Sequence, residues 1–504
     1  MKAPDRLAVV SEAGQRTFGE LNAHANQLVR ALRARGIGPG SAVALMCSNR
    51  PEFVEVYAAI LRGGYRLTSI NWHLQVDEAA YIVENCEAKA FIADVVIGDV
   101  AAEVGRRVGG SIAKLAIGGA IDGFDSYDAT LEEQSGQNIE DPSFGGTMLY
   151  TSGTTGRPKG VYRARGTQVT QTPTVTTTAS RKPMKSGSSM CLCTGPLYHA
   201  APFAYNLAQP INYGVGVVLM GKWDPEHTLQ LIEQHKITHT HLVATMFHRL
   251  LALPEEVRKR YDMSSLELVV HGAAPTPVHV KRAMIEWWGP IIYEYYAGTE
   301  GGGTAIHSDD WLKKPGSVGK PTLGRVVEIL DDEGKPRATG EVGRVFFQAP
   351  QTGRFEYYKD ADKTAGAYVG DRFTLGDHGY LDEDGFLFLT GRTSELIISG
   401  GVNIYPAEID DVLLQHPAVA DVACVGVPND EMGEEVKAVV VLKEGQEPAP
   451  ELERELIAFA REHLAGYKRP RSVDFVAELP RSDAGKIYRA RVRKEYWKHL
   501  DREM

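Results

Sequence analysis

Twelve consecutive residues constrain this chain more than any other stretch: Tyr150-Thr151-Ser152-Gly153-Thr154-Thr155-Gly156-Arg157-Pro158-Lys159-Gly160-Val161. Three glycines, four Ser/Thr hydroxyls and two cations stand together there. The glycines and the proline forbid a helix interior, and the segment is too polar and flexible for a core strand. It can wrap anionic oxygens with backbone N–H groups, hydroxyls and a lysine. A plain surface loop would account for glycine and serine, but not for hydroxyls and cations together. The Walker-type phosphate loop does not fit either, because Gly160 follows Lys159 where that loop needs a Ser or Thr.

At 504 residues the chain exceeds the size at which single cores stop growing, so two or more domains are expected. Its 43% hydrophobic and 24% charged residues are those of an ordinary soluble globular protein. A net charge of −10 without a long basic run argues against a general nucleic-acid or anionic-membrane surface. A polyanionic partner would need local cations instead. The five cysteines, Cys47, Cys86, Cys191, Cys193 and Cys424, are odd in number and scattered. No second Cys or His pair at ligand spacing accompanies Cys191 and Cys193. On an alternating strand those two share a face, and burial is the expectation. This usage fits a reducing cytoplasm. There is no signal-like start and no apolar run of about 18 residues, so no transmembrane segment is expected.

The first half alternates helical and strand patterns. Thr17-x-x-Glu20 is a capping box, followed by Leu21, Ala25, Leu28, Val29 and Leu32 on one helical face. Gly36 ends that helix, Ala42 to Met46 reads as a buried strand, and Pro51 opens a helix over Glu52 to Leu61. Such alternation predicts an α/β fold with mostly parallel sheets. Beyond Gly391 the pattern changes. A helix is expected over Pro406 to Leu414, strands over Val419 to Val427 and Val436 to Leu442, and a helix after Glu451. This is a small α+β unit of about 110 residues, within the usual domain range.

A second segment, Tyr293 to Gly301, sets aromatic rings, small residues, a hydroxyl and a carboxylate in an order that suits a nucleotide. Beside Tyr295, Tyr296 would stack on adenine, while Ala297 and Gly298 allow close approach. Thr299 can bond a phosphate oxygen, and Glu300 can hold magnesium, a hard cation that prefers oxygen ligands. Alone, the run would read as a core strand ending in a glycine turn. Four more segments stand out: Tyr198 to Phe203, His271 to Pro275, Phe373 to Asp377, and Gly391 to Ile409. A fifth is Pro480 to Arg489, with Lys486 inside a Pro-Arg-Ser-x-x-Gly-Lys pattern.

Together these segments resemble the adenylate-forming superfamily, which holds acyl-CoA synthetases, adenylation domains of peptide synthetases, and luciferases. The resemblance covers essentially the whole chain. It implies an N-terminal adenylation domain over residues 1–391 with several subdomains, a hinge at 392–394, and a mobile C-terminal domain over 395–504. It places Thr151, Ser152, Gly153, Thr154, Thr155, Gly156 and Lys159 around the phosphates. Gly272, Ala273 and Ala274 would line the adenine and acyl pockets. Asp377 would take the ribose hydroxyls, although Leu375 stands where the family has threonine. Arg392 would contact ribose or phosphate, Ser394 would be the pivot, and Ser399, Gly400 and Gly401 would meet the pantetheine arm of CoA. Lys486, Glu300 and Thr151 would be the catalytic residues. The lysine's ammonium would reach the bridging oxygen between substrate carboxylate and α-phosphate.

The implied activity is an ATP- and Mg2+-dependent acyl-CoA synthetase working through an acyl-adenylate. Tyr198, His199, Ala200, Ala201, Ala273 and Ala297 would form the acyl pocket. Amino-acid-activating relatives carry an aspartate in the Tyr198 segment, and this chain has His199 instead. The expected substrate is therefore an apolar acid, with a medium- or long-chain fatty acid ahead of a steroid or bile-acid type and an aryl acid. A stand-alone enzyme that loads a carrier protein is an alternative. A binding protein that senses a nucleotide without turnover is another, and the intact Lys486 and Glu300 speak against it.

Overall fold

The structure, a computed structural model, describes residues 3–151, 158–164, 182–273, 276–322, 325–392, 395–399, 402–429, 432–482 and 485–498. The chain forms two compact units that interleave along the sequence. One holds Met1–Gly272, Arg282–Gly301 and Ala349–Tyr368; the other holds Ala273–Lys281, Gly302–Gln348 and Val369–Met504.

The first unit begins as the sequence predicts. Thr17 caps the helix Phe18–Ala34, its hydroxyl accepting from the Glu20 N–H while the Glu20 carboxylate accepts from the Thr17 N–H. That reciprocal cap satisfies two otherwise orphaned donors. Leu21, Ala25, Leu28, Val29 and Leu32 are all buried on one face. Gly36, just past the helix end, takes a left-handed φ of 76°. The strand Ala42–Met46 lies in an all-parallel six-stranded sheet. Its order is Asp125–Ser126, Ala113–Ile117, Ala88–Asp94, Ala42–Met46, Arg66–Ile70, Gly146–Thr147. The helix Pro51–Gly63 carries its proline at the first turn, where the missing N–H costs nothing.

A second sheet in this unit runs Ile292–Gly298, Leu268–His271, His239–Leu242, Met190–Cys193, Gly216–Leu219, Leu7–Ser11 and Gly14–Thr17. It is parallel up to the closing hairpin between the last two strands. Cys191 and Cys193 share a strand and are both fully buried. All five cysteines are free thiols. A small antiparallel sheet joins Leu149–Thr151, Lys159–Tyr162 and Glu356–Tyr357.

In the second unit, Val327–Leu330, Gly343–Gln348, Arg372–Leu381 and Leu387–Arg392 form an antiparallel sheet. A further sheet is centred on the long pair Val419–Asn429 and Gly433–Leu442. Alternation along these strands serves two cores. Val422 and Cys424 pack under the helices Pro406–Leu413 and Pro450–His463. Ala423 and Val425 pack on the other side with Val492 of the helix Arg489–Trp497. The α+β pattern expected for this region is present. Among the described residues, no helix is long and apolar enough to cross a membrane.

Candidate active site

The polar segment expected to hold phosphate is flanked by a hairpin. Thr151 pairs directly with Lys159, Tyr150 with Gly160 and Leu149 with Val161. The ends of the segment are therefore strands, which the sequence reading did not foresee. Ser152, Gly153, Thr154, Thr155 and Gly156 lie outside the described residues, as do Ala274, Ser394, Gly400 and Gly401.

Lys159 projects over the ring of Tyr357, with Nζ 5.5 Å from its centroid. Burial, and then the neighbouring ammonium of Lys363, push its pKa down to about 8; Asp360 and Glu300 oppose that shift. Two lysines brought together in this way form a cationic corner suited to a polyanion.

Glu300 follows the strand Ile292–Gly298, where a turn leads into the strand Gly301–His307. One of its carboxylate oxygens accepts from the Tyr357 hydroxyl at 2.9 Å. The backbone carbonyl of Glu300 accepts from the Arg163 guanidinium at 2.6 Å, and that of Thr299 at 3.4 Å. Neither Tyr357 nor Arg163 was singled out in the sequence. They reach Glu300 only because the small antiparallel sheet carries Glu356–Tyr357 beside Lys159–Tyr162.

Strand alternation gives the two tyrosines of the second segment different surroundings. Tyr295 is buried, its hydroxyl 3.2 Å from His241 Nε2 and its ring 4.8 Å from that of Tyr205. Burial drives the His241 pKa down to about 3, so this imidazole is neutral. Tyr296 and Ala297 are half-buried and Gly298 is exposed. Gly272 lies flat against Tyr295: a Cβ there would meet the ring and the carbonyl oxygen at 2.7 Å. Ala273 takes a left-handed φ of 68°, an uncommon state for a residue with a side chain. In the acyl segment, His199 stands at the head of the helix Ala200–Pro202 and Tyr198 is buried. One π-helical turn, Phe203–Ala208, follows, a feature often found at functional sites.

In the second unit, Asp377 and Arg392 face each other on paired strands, and Arg392 Nε donates to Asp377 at 2.9 Å. The sequence reading gave both residues to the nucleotide; the structure also makes them partners. Lys486 is half-buried in the same unit. Its pKa is lowered by burial and then by Arg392, against the opposing pull of Glu395 and Asp377. Arg489, three residues on, donates to Asp410 at 2.6 Å, to the Cys424 carbonyl at 2.8 Å and to Glu395 at 3.3 Å. Ser399 ends the strand Ile397–Ser399.

Residues 1–357 match the AMP-binding enzyme family, and residues 408–486 match the AMP-binding enzyme C-terminal domain. This chain is an AMP-binding enzyme.

Among its relatives, 2-succinylbenzoate–CoA ligase of Geobacillus kaustophilus is 34% identical, over 97% of this chain and 95% of that protein. The medium/long-chain-fatty-acid–CoA ligase FadD8 of Mycobacterium tuberculosis is 31% identical, over 96% of this chain and 86% of that protein. ATP-bound MatB from Rhodopseudomonas palustris has a similar fold, with a TM-score of 0.86 and 27% identity, covering 100% of this chain and 98% of that one.

The AMP-binding enzyme is accordingly an AMP-forming acid–thiol ligase, an acyl- or aryl-CoA synthetase that takes a carboxylic acid, ATP and CoA and uses Mg2+. The residues near Glu300 fit magnesium. The donor is a hard carboxylate oxygen beside a cationic corner suited to phosphate, and Mg2+ binds through one or two carboxylates plus substrate phosphates. Glu300 would hold the ion, which when bound neutralises developing phosphate charge.

Proposed function

We propose that this ligase activates an apolar carboxylic acid, with a medium- or long-chain fatty acid as the favoured substrate, and passes the acyl group to CoA. The observation that carries this reading is the make-up of the acyl segment. From Tyr198 to Phe203 it offers rings, alanines, a proline and His199, and no carboxylate. The nearby His241 is neutral. A substrate ammonium buried there would have no counter-charge, and leaving a buried charge unpaired costs roughly 3–5 kcal/mol.

In this reading Lys159, Thr151 and the residues between them hold the phosphates, and Glu300 holds magnesium. Tyr296 meets adenine, Asp377 meets the ribose, and Lys486 offsets charge at the reacting carboxylate and α-phosphate. Residues 1–391 act as the adenylation domain and 395–504 as the mobile domain. A turn at Ser394 separates adenylation from thioester formation, with CoA meeting Ser399, Gly400 and Gly401. Such an enzyme works in the cytoplasm.

The close grouping of Tyr205, His241 and Tyr295, whose rings lie 4.8–5.9 Å apart, favours a second reading. Rings at such spacings interact favourably with a further aromatic group, so an aryl acid is the alternative.

A CoA-dependent AMP-release assay on a panel of acids separates the two. Catalytic efficiency should rise about fourfold for each added methylene until the pocket is full, following roughly 0.8 kcal/mol per buried CH₂. α-Amino acids should be rejected. A maximum on an aryl acid moves the substrate to the second reading, and a maximum on acetate or an amino acid rejects both.

A further inference from the structure

Tyr357 stands at the junction of three features of the phosphate corner. Its hydroxyl donates to the Glu300 carboxylate at 2.9 Å. Its ring lies under the Lys159 ammonium, 5.5 Å from Nζ. Its backbone is fixed on both sides, because Val161 pairs with it across the sheet and its N–H donates to Thr364 Oγ1 at 2.9 Å. The next residue, Tyr358, donates its N–H to the Gly160 carbonyl at 2.8 Å. The tyrosine cannot drift without breaking the strand pair that also carries Lys159.

We propose that Tyr357 is the positioning residue of the metal and phosphate site, its phenol orienting the Glu300 carboxylate toward magnesium while its ring seats the Lys159 ammonium. The proposal rests on Glu300 as the magnesium carboxylate. A glutamate on a turn has three side-chain torsions to fix before its carboxylate can hold an ion. A donor fixed to one of its oxygens removes that freedom in advance and leaves other lone pairs for the metal. The phenol is the donor in this contact, so both Glu300 carboxylate oxygens serve as acceptors. The Lys159 ammonium over the ring adds a cation–π contact that keeps the second cation in register with the carboxylate. Arg163, just past the strand Lys159–Tyr162, completes the arrangement by donating to the carbonyls of Thr299 and Glu300.

The test is Mn2+ binding to the full-length protein, followed by electron paramagnetic resonance in the presence of α,β-methylene-ATP. Tyr357→Phe keeps the ring beneath Lys159 and the packing against Phe355 but deletes the hydroxyl. Removing a partner of this kind costs roughly 10–100-fold in metal affinity, and that is the expected loss. Affinity for the nucleotide analogue without metal should stay within about twofold of wild type, because the loss is confined to the metal. Glu300→Gln should weaken Mn2+ binding at least as much, and adding Tyr357→Phe to it should change little further. An unchanged Mn2+ affinity in Tyr357→Phe, or losses that simply add in the double variant, overturns the positioning role while leaving Glu300 as the ligand. If Glu300→Gln itself binds Mn2+ normally, the Glu300 assignment and this proposal fall together.

Discussion

Arg392 lies directly opposite Asp377 on paired antiparallel strands, and its Nε donates to the aspartate at 2.9 Å. The aspartate side chain is almost fully buried, while the arginine is nearly half exposed. The arginine therefore orients the carboxylate and leaves lone pairs for further hydrogen bonds. In the proposed reading, that contact orients Asp377 for a ribose before any nucleotide arrives.

Asp377→Asn should raise the KM for ATP by roughly 10–150-fold, the equivalent of a hydrogen bond to a charged group worth about 1.5–3 kcal/mol. The penalty should shrink sharply with 2′,3′-dideoxy-ATP, which lacks the hydroxyls in question. Steady-state kinetics with both nucleotides checks this. An equal penalty on both would give Asp377 a purely structural role beside Arg392.

Lys486→Ala should abolish adenylate formation yet spare thioester formation from pre-made acyl-adenylate. In the proposed reading its ammonium acts only while charge builds at the α-phosphate, and removing one preorganised donor costs about 10²–10³ in rate. Pyrophosphate exchange and single-turnover thiolysis measure the two half-reactions separately. Similar losses in both would contradict the assignment.

The Lys159 pKa of about 8 sets a pH limit. The protonated lysine attracts phosphate, so binding is favoured below that pH and lost above it. Because kcat/KM reports the free enzyme, kcat/KM for MgATP should fall as pH rises through about 8. The same limb in kcat should lie higher, since bound phosphate holds the proton on. Lys159→Arg removes the titration and should flatten the kcat/KM profile over this range. A profile unchanged by that substitution would assign the limb to another group.

Stability offers an independent check at Glu55, which is fully buried. It accepts from Arg16 at 2.7 Å and from Tyr127 at 3.0 Å, and it lies 2.8 Å from His24. Burial alone would raise its pKa, but the His24 and Arg16 contacts outweigh that and lower it; the bond to Glu55 raises His24. The Glu55 contribution is therefore present above its unfolded pKa of about 4.3 and lost as pH falls through the lower folded value. That of His24 is present below about 6.5 and lost as pH rises through its raised value. Glu55→Gln should cost about 1.5–3 kcal/mol at neutral pH and remove both dependences. Urea unfolding from about pH 2 to about pH 8 covers both windows and reads the result.

Local signals in the chain were easy to read. Thr17 and Glu20 cap a helix because the two donors they satisfy lie within one turn. Cys191 and Cys193 share a buried face because strand side chains alternate. The site residues were legible only as segments. Tyr357 stands 57 positions from Glu300, and nothing in either neighbourhood signals the other; sheet pairing alone brings them together. Arg392 and Asp377 both stand in segments that the sequence singles out, but their mutual bond depends on strand register, which no local pattern encodes. The interleaving of the two compact units was likewise invisible, because segments such as Ala349–Tyr368 are assigned by long-range packing.

Tyr357 and Tyr358 are neighbours with the same chemistry and separate partners. Tyr357 bonds Glu300, whereas Tyr358 bonds Glu87 and lies against Arg66, 5.1 Å from ring to guanidinium. Lys359, next in line, has a left-handed φ of 60° and sets its ammonium 3.2 Å from the same Glu87 carboxylate. A natural insertion or deletion in this short run would exchange the two rings while the sequence still read as a pair of tyrosines. Sequence drift here should therefore tolerate changes of letter better than changes of length, and indels between Phe355 and Lys359 should be the rarer event in working descendants of this enzyme.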